Sequence, residues 1–323
     1  MHIQDRVYGS IEVNEPVIIE LLDSRPLQRL KHIAQSGAAV YVNPKRDVTR
    51  YEHSVGVWYL SHVFKRSMEE QIACLIHDVP HTAFSHVVDF VIENDNHEYH
   101  EAFLEDIIFN SEIPAILEKH NINVKSVLDK EKFPLLDNEL PDISFDRLDY
   151  FLRDGISLDL LALETARMFL DNFQCENNIL FFTDPGIAAQ YAILFMNMSR
   201  LMWIDPDSHG SYFFLAKILK KALTKGIITE KDFFRTDSEV MNMLYASGDQ
   251  EITTQLMELK QLKFEYASKE DADYYGKNKP RTVDPWVKVE DRLERTSKLV
   301  SNIGYSMREF KERYAMIGVK RVG

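Results

Sequence analysis

The sequence predicts an all-α helical core followed by a smaller C-terminal α+β appendage. Apolar residues recur at three- and four-residue intervals through most of the first two thirds of the chain, the signature of helices with one buried face. Several of these stretches begin at proline, which suits a first helical turn because the missing N–H has no partner there in any case. Beyond about residue 228 the pattern gives way to polar, turn-rich pieces, with a short strand expected around Pro285 to Val289.

Taken in order, residues 16–24 (PVIIELLDS) and 26–35 (PLQRLKHIAQ) each read as a helix, the second closed near Gly37. AAVYVNP follows as a short extended piece. Residues 51–68 form an amphipathic helix with Val57, Leu60 and Phe64 on one face. The next, over 69–92, is interrupted near Pro80, whose ring removes a donor and clashes with the preceding turn. Helices over 99–109, 112–120 and 142–154 come next, then DPGIAAQYAILFMNMSRLMW and SYFFLAKILKKALTKG, the last ended by Gly226. EVMNMLYAS and ITTQLMELKQLKFEYAS are helical, DADYYGKNKPRTVDPWVKVEDR is turn-rich, and KERYAMIGVKRVG is a basic tail. A soft boundary near residue 228 separates a core (1–228) from the appendage (229–323). There is no internal repeat and no low-complexity run.

Composition bounds the function. The 323 residues are 45% hydrophobic and 28% charged, as expected of an ordinary globular protein rather than a disordered one. A net charge of −13 argues against a chain that coats nucleic acid, while leaving room for a local basic pocket. Cys74 and Cys175 are far apart and in no paired motif, so neither a thiolate zinc site nor a disulfide framework is expected. The charged N-terminus lacks a signal-peptide core, and the apolar runs are short or cut by charge, as at Arg200. A cytoplasmic protein with no membrane association is the expectation.

Four residues stand out together: His53, the adjacent pair His77-Asp78, and Asp146. Hydrolysis of a phosphate ester needs a nucleophilic water and neutralisation of phosphoryl charge. A divalent metal supplies both, lowering the pKa of its water to roughly 7 in favourable sites. Imidazole and carboxylate ligands suit Mn, Fe, Co, Ni or Zn. Two histidines and two aspartates from facing helices can hold one such ion inside a bundle. Taken singly, each has a plainer reading: His53 shares a face with Val57 and Leu60, as a core histidine does, and Asp146 could be a surface charge.

Their company decides between these readings. TRYEHSVGVWYLSH, ACLIHDVPHTAFSHVVDF and DISFDRLDYFLRDG resemble, in this order, the motifs of the HD-domain metal-dependent phosphohydrolases. Together with DRVYGSIEV and IIELLDSRPLQRLKHIAQSG near the N-terminus, they resemble most the branch that cuts deoxynucleoside triphosphates into deoxynucleoside and tripolyphosphate. The likeness runs from about residue 5 to 155 and loosens after that. It implies His53, His77, Asp78 and Asp146 as metal ligands, and His81 as a histidine near the phosphate that takes part in proton transfer. It implies His86 as a phosphate contact and Asp89 as the carboxylate orienting a further catalytic histidine, either His100 (preferred) or His97 in its own His-Glu pair. Arg50 and Arg147 correspond to cations on the phosphates. Gln35 and Asp154 match residues that reach the sugar 3′-hydroxyl, and Tyr150 and Asp154 lie one and two turns beyond Asp146 on the same side of a helix. A plainer alternative pairs Asp149 with Arg153 at i,i+4 on a merely solvated helix face.

The resemblance further implies one divalent transition metal as cofactor, Mg with the nucleotide phosphates, a dNTP substrate and a homo-oligomer. Asp23, Gln28 and Lys31 fall where some relatives bind a nucleotide activator. The chain departs from the pattern at Pro80, at Thr82-Ala83, and at RLMWIDP, where Trp203 and Asp205 replace residues that help hold a triphosphate. Those departures keep two other readings open: an HD-type nucleoside monophosphatase or phosphodiesterase, and a nucleotide-sensing protein with an inactive site. Neither an HExxH helix nor a GxSxG elbow is present, so a zinc protease or a serine hydrolase is not expected.

Overall fold

The computed structural model describes residues 1–92 and 99–322. Three helices form the centre. Thr49 opens Arg50–Val63 with a capping box, accepting from the Glu52 N–H while the Glu52 side chain takes its own N–H. Ser67 caps Met68–Ile76, and Ser144 caps Phe145–Ser157. Arg50–Val63 packs against both others, and Val57, Trp58, Leu60, Leu75, Leu148 and Phe151 enter one apolar core. The caps fix where each helix starts, and therefore which turn presents His53 and Asp146.

A second core lies around the long helix Pro206–Thr224, which packs on Ala39–Val42, Val87–Ile92 and Gln250–Leu259. Between Pro185–Met198 and this helix the chain makes a π-helical turn, Ser199–Trp203, a feature common at functional sites.

The strands are small and flank the helices. His2–Asp5 and Gly9–Glu12 pair as an antiparallel hairpin. A four-stranded sheet runs in the order Phe173–Glu176, Ile179–Phe182, Trp286–Val289, Arg292–Arg295. Its middle pair is parallel, with Phe181 opposite Trp286. A three-stranded antiparallel sheet places Met316–Val322 between Lys263–Tyr266 and Tyr274–Lys277. The helical core and the C-terminal α+β part are thus as expected, and the strand near Pro285 is found at Trp286–Val289. The four-stranded sheet, however, takes two strands from each side of residue 228, and the second core joins Ala38 to Leu262. The ranges 1–228 and 229–323 are interleaved.

Local readings changed where tertiary partners intervene. AAVYVNP is not extended: Ala39–Val42 is a helical turn, with Ala39 and Val42 buried. The helix expected through EYAS ends at Leu259, because Lys263–Tyr266 pairs with Met316–Val322. The 69–92 segment divides into Met68–Ile76 and Val87–Ile92 around the turn at Pro80. Among the described residues, no helix is long and apolar enough to cross a membrane.

Candidate active site

The helix Met68–Ile76 runs out into the turn that carries His77 and Asp78. Downstream, Phe84 and Ser85 adopt left-handed φ angles of 60° and 52°, a conformation that costs a non-glycine residue about 1–2 kcal/mol. The turn is held from the C-terminal half of the chain. The buried Asp237 accepts the Phe84 N–H (2.7 Å) and the Ala34 N–H (2.9 Å), and the Ala83 N–H donates to the Phe233 carbonyl (2.7 Å). One carboxylate thereby fixes both the His81–His86 turn and the backbone beside Gln35. Burial pushes the Asp237 carboxyl up to about 6, although these N–H groups pull the other way.

Three of the four expected metal ligands converge. His53, His77 and Asp146 each offer an atom within 4.8 Å of the others. His53 Nε2 lies 2.9 Å from Asp146 Oδ1, while its Nδ1 lies 2.8 Å from Asp149 Oδ2. His77 Nδ1 donates to the Cys74 carbonyl (2.8 Å), which leaves Nε2 as the atom facing inward. That Nε2 is buried and has no hydrogen-bond partner. A buried imidazole lone pair without a partner, beside an imidazole clamped between two carboxylates, is a donor set that fits a divalent cation. Burial works against protonation of His53, but Asp146 and Asp149 push its pKa up to about 10; the Nε2 proton is the one a cation replaces. Asp78 presents Oδ1 at 3.4 Å from His77 Nε2 and 3.3 Å from His81 Nε2. Its Oδ2 accepts from Arg50 Nη1 (2.6 Å), so the fourth expected ligand divides its carboxylate between the centre and an arginine.

The pair Asp149–Arg153 does form at i,i+4, but not on a solvated face. Both side chains are fully buried, joined at 2.9 Å. Arg153 also reaches Asp5 (2.8 Å), and the Tyr8 hydroxyl donates to Asp149 (2.8 Å). Gly56 makes room for this pair: a Cβ there would stand 1.8 Å from Asp149 Oδ1.

His81, His86 and His100 form a cluster next to the expected metal ligands. His81 and His100 stack with ring centroids 3.6 Å apart, and His86 is edge-on to both. Asp89 meets His86 Nδ1 (3.0 Å) and accepts the Tyr99 N–H (3.3 Å). Burial holds the His81 imidazole well below its ordinary pKa, with the Arg50 charge and the other histidines adding to it. Burial and His86 bring His100 down to about 3. The alternative pair His97-Glu98 lies outside the described residues.

These groups line a cavity of about 660 Å³, which also takes in Gln35, Arg50, Arg147, Tyr150 and Asp154. Gln35 Oε1 and Asp154 Oδ1 are buried on its wall without a partner. The other Asp154 oxygen accepts from Trp203 Nε1 (2.9 Å), and burial raises this carboxyl to about 6. Arg147 departs from its expected part: its Nη1 donates to Asn138 Oδ1 (2.8 Å) and the Asp142 carbonyl (2.7 Å), and its Nη2 to the Asn138 carbonyl (2.9 Å). Its Nη atoms hold the 137–142 loop, while Nε is buried without a partner. Asp205 has a structural task as well, capping Pro206–Thr224 and pairing with Arg46 (2.9 Å). Away from the cavity, Gln28 and Lys31 bond each other (2.8 Å), and Gln28 also donates to the Leu22 carbonyl.

Sequence reasoning missed Asp149 as the support of His53, Trp203 as the donor to Asp154, Asp237 as the clamp, and Lys277 and Arg281 on the cavity wall. Only Asp149 carried a signal, sitting one turn beyond Asp146. The others arrive from distant segments.

The HD domain family matches residues 50–153. The chain is 38% identical to the Bacillus subtilis protein YdhJ over 298 residues, covering 92% of this chain and 91% of that one. It is 30% identical to the metal-dependent phosphohydrolase cns2 of Cordyceps militaris over 292 residues, 88% of this chain and 84% of that one. The deoxynucleoside triphosphate triphosphohydrolase SAMHD1 of Mus musculus is 37% identical over 100 residues only, 26% of this chain and 15% of that protein. In fold, a phosphohydrolase of Bacteroides thetaiotaomicron superposes with a TM-score of 0.77 at 15% identity, over 99% of this chain and 98% of that one. The motifs, the converging ligand set and the full-length relatives agree: the chain belongs to the HD-domain metal-dependent phosphohydrolases, enzymes that hydrolyse phosphoric ester bonds.

Proposed function

We propose that the enzyme hydrolyses a deoxynucleoside triphosphate at the bond between the α-phosphorus and O5′, releasing deoxynucleoside and tripolyphosphate. The observation that carries this reading is the pair of unpartnered buried acceptors, Gln35 Oε1 and Asp154 Oδ1, on the wall of the cavity that holds His53, His77 and Asp146. Buried acceptors without donors are costly, and a sugar 3′-hydroxyl supplies a donor to one of them.

His53, His77, Asp78 and Asp146 would hold one divalent transition metal, with Mg accompanying the nucleotide phosphates. Such an ion supplies Lewis acidity and a water of lowered pKa. The protein's own groups do the rest. Arg50 is oriented by Asp78 and by the Ser85 hydroxyl (2.8 Å), so its charge faces the phosphoryl group. His81 Nδ1 is buried with no partner. His81 and His100 are neutral in the free protein, and an arriving phosphate anion raises their pKa values. One of them then takes up a proton and passes it to O5′ as a water oxygen bonds to the α-phosphorus, the P–O5′ bond breaks and its electron pair moves to O5′. A homo-oligomer and a nucleotide activator accompany this reading.

A second reading, a nucleoside monophosphatase or phosphodiesterase, is favoured by one observation: the Nη atoms of Arg46 and Arg147 are engaged inside the protein, leaving only the Nε of each without a partner. The deciding experiment incubates purified protein and Mn²⁺ with each of the four dNTPs, alone and mixed, and resolves products by anion exchange. Deoxynucleoside plus tripolyphosphate, abolished in His77→Ala, is the expected result. Orthophosphate from monophosphates, with no tripolyphosphate from any mixture, overturns it in favour of the second reading.

A further inference from the structure

We infer that Arg281, assisted by Lys277, is the specificity-determining contact for the part of the substrate's phosphate chain beyond the scissile bond; the inference rests on the triphosphate reading above.

The arginines of the cavity wall show where such a contact can come from. Arg46 donates through Nη1 to the Met202 carbonyl (2.8 Å) and through Nη2 to Asp205 (2.9 Å). Arg147 is tied to the 137–142 loop. Arg50 faces Asp78 and Ser85 beside the metal ligands. A chain of three phosphates brings far more negative charge than Arg50 alone can meet. Arg281 remains. Its guanidinium lies over the Tyr150 ring (5.2 Å to the centroid) and the Trp203 ring (5.7 Å). Aromatic faces orient an arginine through the plane of the guanidinium while leaving its N–H edge for an anion, and the planar fork matches phosphate oxygens two at a time.

The backbone carrying Arg281 is fixed. The Arg281 N–H donates to Ser199 Oγ (3.1 Å), at the start of the π-helical turn that ends at Trp203. On one side, Asn278 bonds the Ala315 and Tyr314 carbonyls (2.9 and 3.0 Å). On the other, the Asp284 N–H donates to the Pro141 carbonyl (3.0 Å), in the loop that Arg147 holds. The segment is therefore a strap pinned at both ends across the cavity. Lys277, the last residue of the strand Tyr274–Lys277, is exposed and lines the same cavity. It adds a point charge where Arg281 adds a fork. The strap supplies the positive charge that the RLMWIDP segment, with Asp205 in it, does not.

The test is calorimetric titration of inorganic tripolyphosphate and orthophosphate into the metal-loaded full-length protein, with Mg²⁺ in excess over both anions, for wild type, Arg281→Gln, Arg281→Lys and Lys277→Gln. Wild type is expected to prefer tripolyphosphate. Arg281→Gln should weaken tripolyphosphate about ten- to a hundredfold and leave orthophosphate within about twofold. Arg281→Lys should recover part of the loss, and Lys277→Gln should lose less than Arg281→Gln. Unchanged selectivity in Arg281→Gln, against a wild type that does prefer tripolyphosphate, overturns the role of Arg281 and leaves the triphosphate reading standing. A wild type with no preference overturns both. Equal loss of both anions in Arg281→Gln, or no recovery in Arg281→Lys, marks Arg281 as a structural part of the wall and also overturns the inference.

Discussion

His53 Nδ1 sits 2.8 Å from Asp149 Oδ2, and Asp149 is itself locked by Arg153 at 2.9 Å. The outer nitrogen of His53 is thereby given a fixed acceptor, which sets the tautomer and aims Nε2 at Asp146. Carboxylates of this kind are worth about ten- to a hundredfold in metal affinity when removed. Asp149→Asn keeps the shape and loses the charge, so metal retention should weaken by about that factor. Competition with a chelator, read by elemental analysis, checks it; retention equal to wild type would remove Asp149 from the support of the site.

Gly56→Ala tests the same cluster from the neighbouring helix. Exposed helix interiors gain about 1 kcal/mol from such a change. Here the new Cβ collides with Asp149 Oδ1 at 1.8 Å and Arg153 Nη2 at 2.3 Å. Overpacking and disruption of a buried ion pair should together cost about 3 kcal/mol or more. Chemical denaturation followed by circular dichroism reads the sign directly, and stabilisation would contradict the packing described.

His100 should remain neutral in the free protein well below the ordinary histidine range, since burial and His86 bring it down to about 3. The sign follows from linkage: the unfolded chain binds this proton more readily. The contribution to stability is therefore present above about pH 6.5 and lost as pH falls toward 3. Proton NMR of the imidazole against pH should show no His100 titration between pH 7 and 5. Added phosphate should move the midpoint upward, and an ordinary midpoint near 6.5 in the free protein would contradict the cluster's electrostatics.

Asp237 has the opposite sign. Burial raises its carboxyl to about 6, so the folded state holds the proton more tightly than the unfolded one. Its contribution is greatest below about pH 4 and declines as pH rises through 6. Asp237→Asn removes this dependence, so the stability difference, wild type minus variant, should grow between pH 7 and pH 5. Urea denaturation at both pH values measures it; a constant difference would contradict the burial of that carboxylate.

Much of this was legible in the sequence. His53, His77, Asp78 and Asp146 were conspicuous because ligand chemistry restricts the residue types and because the motifs around them resemble those of the HD-domain phosphohydrolases. The strand at Trp286–Val289 was expected around Pro285 to Val289, within a turn-rich segment. Less was legible wherever a pairing partner lies far along the chain. Lys263–Tyr266 is drawn out of a helical pattern by Met316–Val322, and Ala39–Val42 coils because Pro206–Thr224 covers it.

The sequence by itself determined the helical frame, through local periodicity, and its likeness to the HD-domain phosphohydrolases pointed to the class of reaction and to the candidate ligands, of which His53, His77 and Asp146 converge. Only the tertiary structure decided how charge is distributed around that centre. It turned Asp149–Arg153 from an apparent surface pair into a buried brace, committed Arg147 and Arg46 to internal partners, and brought Asp237 and Arg281 to the site across roughly half the chain. The physical reason is that a charged side chain's role depends on what desolvates and pairs it, and those neighbours are chosen by the fold.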